Sequence, residues 1–315
     1  ATGYTATGKT SSVGTLDGTA YAKVTGVTLG NNSYVDADAE AVGGVLISVA
    51  NANGGAGGSA LATAGGATVG AITGTGTVIV NGTTSGNYAD VGADWIQGIR
   101  NVSMYAANAS SGGSATAGTA DIGAISGSIS STITGSTKGT NSDIYSDNVV
   151  GASNVYISAG GAIAGKGASA VATAGAANVG NLSGTAVVTI AGSTAKDNAS
   201  ITATGTYGLD ASLNLSNATG TTATAKAATV GTITGSATVL IGSSATPAAA
   251  DPRTSACGTP RRMGWRNANR VNGCPYLCIP ESAASGAVAI QTVRRGPEWR
   301  HQPRSDAACH GLGGD

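Results

Sequence analysis

The chain has 315 residues and a formal net charge of zero, with 51 glycines, no phenylalanine and only 10% charged residues. Ordinary soluble chains carry about 25% charged residues, and a thick aromatic core needs large side chains that are missing here. A nucleic-acid footprint is excluded too: residues 1–250 hold seven basic against eleven acidic residues, and the nine arginines of 251–315 are not set among stacking aromatics.

The first motif in chain order is Gly3 to Thr10, GYTATGKT, which fits the phosphate-cradling pattern GxxxxGK[ST]. That pattern works only after a buried strand and before a helix whose amino terminus holds the phosphate. Here only two residues precede it, and the following SSVGTLDGTAYAKV reads as turn and strand. Ala6 to Thr10 also open a repeat, with Lys9 in the slot of Gly65, Gly118, Gly175 and Lys226. No cofactor is expected. The near-miss ending in Gly165-Lys166-Gly167 lacks the hydroxyl that Mg²⁺ needs.

The repeat is a gap-free 14-residue motif with copies at 6–19, 62–75, 115–128, 172–185 and 223–236, whose starts are 56, 53, 57 and 51 residues apart. Repeats of this kind are sought first because they decide the fold. Two glycines recur in every copy: Gly14, Gly70, Gly123, Gly180 and Gly231, then Gly18, Gly74, Gly127, Gly184 and Gly235. Between copies lies a second motif, two aliphatics around one variable residue: Ile47 and Val49, Val102 and Met104, Val155 and Ile157, Leu213 and Leu215.

After each second glycine, side chains alternate as in strands; Ala186, Val188 and Ile190 share one face. Glycine at this density opposes helix, and residues 1–246 contain no proline to interrupt a ladder. The paired glycines suit corners, where positive φ or close backbone approach is needed. The expectation is an all-β chain, a parallel β-helix over residues 1–246 with repeats of about 54 residues. If each half-repeat is one coil, roughly nine coils at about 4.8 Å make a rod near 45 Å long. An array of β-sandwich modules is the structural alternative.

Two kinds of chemistry remain. Asp90 and Asp94 lie 12 and 8 residues before Val102, as Asp143 and Asp147 do before Val155, with Asp36, Asp38 and Glu40 in the matching stretch of the first unit. Stacked, they could form an oxygen-rich column for Ca²⁺, although the Gly-Gly-x-Gly-x-Asp calcium pattern is missing. Carboxylate-pair hydrolysis of a polysaccharide would need acids near Trp95, the one tryptophan of 1–246. Histidine nucleophile triads are not available there, since His301 and His310 both lie in the tail, and no catalytic residue is assigned. An ice-binding array is disfavoured, because Thr75 and Thr77 become Ser128 and Ser130 and the units are unequally spaced.

From about Pro247 the texture changes: all seven prolines, Cys257, Cys274, Cys278 and Cys309, both histidines and nine arginines fall in 247–315. The tail reads as disordered or irregular, or as the repeat's gene translated in a shifted frame. A zinc site would show tighter paired spacing. The chain starts inside the repeat, without initiator methionine or signal peptide, and so reads as a piece of a larger protein. No run approaches the about 20 apolar residues of a membrane span.

The ATxxxxxVGxITG-type units and the Gly/Ala/Ser/Thr/Asn/Val texture of 1–246 resemble the repetitive passenger regions of large bacterial surface adhesins, of the filamentous-haemagglutinin-like and autotransporter type. The resemblance implies a right-handed β-helix, export to the cell surface or outside the cell, and a structural stalk for attachment or biofilm rather than an enzyme. Its partners would be a host-cell, matrix or glycan receptor, or further copies of itself. The family's secretion domain and membrane-anchoring barrel are not in this sequence. A polysaccharide-active β-helix and a self-associating matrix or fibre protein are the rival functions.

Overall fold

The computed structural model describes residues 5–196, 198–243 and 270–273, and among these it holds strands but no helix. The expectation for the tail lies outside the described residues, except that 270–273 form a strand antiparallel to Leu209–Ser212. All other pairings are parallel, and the strands stack into six sheets. The chain visits the six in a fixed order and then returns to the first. A first coil runs through Thr5–Thr7, Ser11–Val13, Leu16–Thr28, Tyr34–Val35, then Ala39–Gly43 and Leu46–Val49 in one sheet, and Ala52–Asn53, and the next begins at Leu61.

Register places each motif copy directly on the next: Ala6 pairs with Ala62, Ala62 with Ala115, Ala115 with Ala172 and Ala172 with Ala223. The second motif stacks with a two-residue offset from its alignment in sequence: Met104, the second aliphatic of its copy, lies between Ile47 and Ile157, and Ile157 lies beside Leu213. Ile47 and Leu213, the first aliphatics of their copies, thus take the register of the second. The half-repeat coil is therefore corrected. A coil runs from one motif copy to the next, because the two aliphatic patterns face each other across the core instead of lying above one another. At about 4.8 Å per coil, the five motif copies span about 19 Å along the axis, not 45 Å.

The long sheet is built from Leu16–Thr28, Ile72–Thr84, Ile125–Thr137, Leu182–Thr194 and Ile233–Ser243, and its register runs without a shift. Unequal repeat lengths therefore do not disturb this sheet. They are absorbed mainly where the chain re-enters the first sheet, in residues 54–60 and 164–170 against 111–113 and 220–221. A further shift, between Ala152 and Val155, falls in the facing sheet.

The core has three parts. Val69, Ile72, Ile99, Val102, Met104 and their equivalents form one aliphatic cluster. Val78, Val80, Val91, Ile96, Ile129 and Ile133 belong to a second. The third is made of alanine alone, among them Ala62, Ala109, Ala115, Ala162 and Ala172, which lets the strands on either side pack closely.

A glycine waist divides the two aliphatic clusters. A Cβ added to Gly74, Gly127 or Gly184 would stand 2.0, 1.9 or 1.8 Å from the carbonyl oxygen of Gly98, Gly151 or Gly208 across the core. Sheets separated by side chains pack about 10 Å apart; here backbone meets backbone. Of the two reasons the motif suggests for its glycines, close approach is the one found. No motif glycine has positive φ among the described residues. Corners use other residues instead: Asn32, Tyr88, Asn141 and Asn198 stack in successive coils with φ of 52–58°. Asparagine tolerates this region because its side chain bonds locally.

The first motif glycine spaces coil from coil. A Cβ on Gly70 would lie 2.6 Å from the backbone of Gly14 and Thr15, whereas one on Gly14 meets nothing within 4 Å. Gly70→Ala is expected to cost about 1–3 kcal/mol in chemical denaturation, and Gly14→Ala, at the same motif position, to be neutral or slightly stabilising. Equal effects of the two would show that spacing is not the reason for this glycine.

Candidate functional site

The aspartates singled out by the sequence gather where the chain turns from the long sheet to the facing one, around Asp90–Ala93 and Ile144–Ser146. They form two columns. Asp143 stacks on Asp90, and its N–H donates to Asp90 Oδ1 at 2.8 Å. Ser200 continues that column, donating from N–H and Oγ to Asp143 Oδ1 at 2.7 and 3.0 Å. In the other column Asp94 Oδ1 accepts from the Trp95 N–H at 2.7 Å and from Asn148 Nδ2 at 3.1 Å. Asp147 Oδ1 accepts from the Asn148 N–H at 2.8 Å and from Thr204 Oγ1 at 2.6 Å.

The same device recurs with asparagine elsewhere. Asn87 N–H donates to Asn31 Oδ1 and Thr140 N–H to Asn87 Oδ1, both at 2.9 Å. Asn108 N–H donates to Asn51 Oδ1 and Gly161 N–H to Asn108 Oδ1, both at 2.8 Å. In every case a side-chain oxygen of one coil satisfies a backbone donor of the next. Asp90 and Asp143 are members of this set, and their Oδ1 atoms are already committed. Asp94 and Asp147 differ in accepting from the N–H of the following residue of their own coil and from a side chain of the next. Among the described residues no group of three or more acidic, histidine or cysteine side chains is placed to hold a metal ion.

Charge nevertheless accumulates here. Burial pushes the Asp38 carboxyl above its ordinary value, helped by the charges of Asp94 and Asp36. Burial raises Asp90 as well, opposed by the hydrogen bond from the Asp143 backbone and reinforced by the Asp143 charge. Tyr145 pairs with Gly92, and a Cβ on that glycine would meet its ring at 2.3 Å. Burial first, then Asp36, Asp90, Asp94 and Asp38, push the Tyr145 hydroxyl up to about 12. Sequence reading passes over Tyr145 because its place above Gly92, one coil away, is set by register alone.

Beside this edge stands Trp95, 51% exposed, with the Arg100 guanidinium 5.6 Å from its ring centroid. Arg100 in turn pairs with Glu40 at 3.0 Å, across one coil. The sole tryptophan and sole arginine of residues 1–246 are thus stacked together. The acids nearest Trp95 already have partners, Asp94 as described and Glu40 through Arg100. Aligning the second motifs in sequence would place Glu40 opposite Trp95, whereas the register places it opposite Gln97, so the Arg100–Glu40 pair is set by register alone.

Within the phosphate-loop match Thr5–Thr7 is a strand of the stack, and the strand Ser11–Val13, not a helix, follows the match; Gly3 and Tyr4 lie outside the described residues. No described helix is long and apolar enough to cross a membrane. The tail's cysteines and histidines lie outside the described residues. No protein-family model, curated protein or solved structure matches the chain.

Two outcomes follow from the ladder. Asp143→Ala leaves the Ser200 N–H without its acceptor and should cost about 1–3 kcal/mol in chemical denaturation, while Asp143→Asn, which keeps an oxygen there, should cost clearly less. Asp38 behaves oppositely. Its folded-state pKa lies above the ordinary 3.8, so the fold disfavours the ionised form, and stability present below that value is lost as pH rises through the folded pKa. Asp38→Asn should therefore raise the melting temperature slightly at pH 7 and leave it unchanged well below 3.8; a loss at pH 7 would contradict the assignment.

Proposed function

We propose that residues 1–246 form a right-handed parallel β-helix serving as the stalk of a secreted or surface-displayed bacterial adhesin. The observation that carries this reading is the unshifted stacking of motif copy on motif copy, which makes a rigid body extendable by repetition. Right-handedness is the expectation for parallel strands joined by a crossover. A surface covered by serine, threonine and asparagine, and the lack of cysteine in 1–246, suit an exported chain that needs no disulfide staples.

The coil width sharpens the proposal. Each coil adds only about 4.8 Å of reach, so a chain wound this widely gains lateral surface rather than length. The edge at 81–97 and 135–150 presents Tyr88 and Trp95, each about half exposed, and is a natural contact surface. Contacts of this kind are individually weak and gain strength through repetition.

Beads coated with the full chain should be retained by host cells or extracellular matrix far better than beads coated with heat-unfolded chain, rising steeply with coating density. Absent or density-independent retention would overturn an attachment role.

A further inference from the structure

We infer that the outer face of the long sheet carries a binding groove for an uncharged polysaccharide. The groove, of about 300 Å³, crosses four strands; Thr19 and Tyr21, Thr75 and Thr77, and Ser128 and Ser130 line the first three, and the apolar Val187 lines the fourth. These residues alternate with core residues along each strand, so their side chains point outward, and register aligns them from coil to coil.

Three features define the occupant. The first is hydrogen-bonding capacity in ranks. On this face hydroxyls pair between coils: Thr19 with Thr75 at 3.5 Å, Ser130 with Thr77 at 3.3 Å, Ser183 with Ser126 at 3.0 Å and Ser236 with Thr185 at 3.3 Å. A hydroxyl has one donor and two acceptor sites, so each pair leaves capacity turned outward, repeating about every 4.8 Å up the sheet. A ligand that itself repeats hydroxyls along a chain matches this.

The second feature is Tyr21, 66% exposed at the groove's lower wall. A tyrosine offers a rigid apolar ring with a polar tip, the surface on which the carbon face of a sugar ring rests.

The third is charge. On the outward positions of the second, third and fourth strands there is no Asp, Glu, Lys or Arg. The first strand places Asp17 and Lys23, of opposite sign, on either side of Thr19 and Tyr21. An anionic polysaccharide would bring a row of charges onto a face whose one cation among the described residues, Lys23, is offset by Asp17; a neutral one would exchange water hydroxyls for protein hydroxyls. The inference deepens the attachment reading and rests on it for its setting, while its chemistry rests on the groove.

Affinity electrophoresis of the full chain tests it, with hydroxyethyl cellulose, xyloglucan and dextran as neutral probes and polygalacturonate as the acidic one. At least one neutral probe should retard the chain. Tyr21→Ala and the isosteric Thr77→Val should weaken that retardation at least fivefold, with Thr134→Val, on the same face outside the groove, as the unaffected control. Circular dichroism checks folding, and Thr77→Val decides if Tyr21→Ala does not fold. The inference is overturned by retardation in polygalacturonate alone, by no retardation in any neutral probe, or by variants that bind as the parent does. Thermal hysteresis would assign the face to ice, and groove-dependent sedimentation to a second copy; either overturns it too. Bead adhesion with no retardation in any neutral probe would sink the groove and spare the stalk, and retardation that depends on Tyr21 and Thr77 without bead adhesion would do the opposite.

Discussion

Two parallel sheets meet in this protein without side chains between them along one line. At Gly74, Gly127 and Gly184 on the long sheet, and Gly98, Gly151 and Gly208 opposite, each Cβ would collide with a carbonyl across the core. Contact at this distance fixes how wide the coil can be and splits the apolar interior into separate aliphatic columns. Composition then follows. A core cut into narrow columns takes Ile, Val and Ala in repeated layers, has no room for phenylalanine, and ends in an alanine-only part where strands pack closest. The unusual residue content is thus the signature of a thin, repeated interior, and not of a chain unable to fold.

A thin core buries less apolar surface per residue than a thick one, so polar groups must be satisfied with care. The backbone does most of this through coil-to-coil hydrogen bonds. At the corners, where the backbone turns out of the ladder, asparagine and aspartate side chains take over and each accepts a donor from the coil above. Aspartate in this role carries a cost that asparagine does not. Stacked carboxylates repel, and the upward displacement of Asp38 and Asp90 records that repulsion added to burial. Trp95 and Arg100 stand at the margin of this charged edge, with Glu40 held by the arginine.

The two outward surfaces consequently differ in character. One is an acidic, aromatic-bearing edge where the corners accumulate side-chain caps; the other is a neutral, hydroxyl-covered sheet. Both arise from the same register, because stacking repeats turns a single outward residue into a rank. A width of more than 50 residues per coil serves such surfaces better than it serves reach.

Much of this was open to reading from residues alone. Five gap-free motif copies and period-two alternation at Ala186, Val188 and Ile190 are local facts, and strands stacked in parallel follow from them. The waist was half visible: its motif glycines stand out, yet Gly98, Gly151 and Gly208 lie outside the motif, each 24 residues after its partner. The four candidate aspartates were paired by spacing, but the backbone donors of the next coil that Asp90 and Asp143 accept are set by register and do not show in a string of letters. Coil length was decided only in three dimensions. Periodicity along a chain reports which residues share a face, and it is silent on whether two equal patterns lie above one another or across from one another. Here the glycines allow the sheets to touch, so the patterns lie across, and tertiary contact sets the coil.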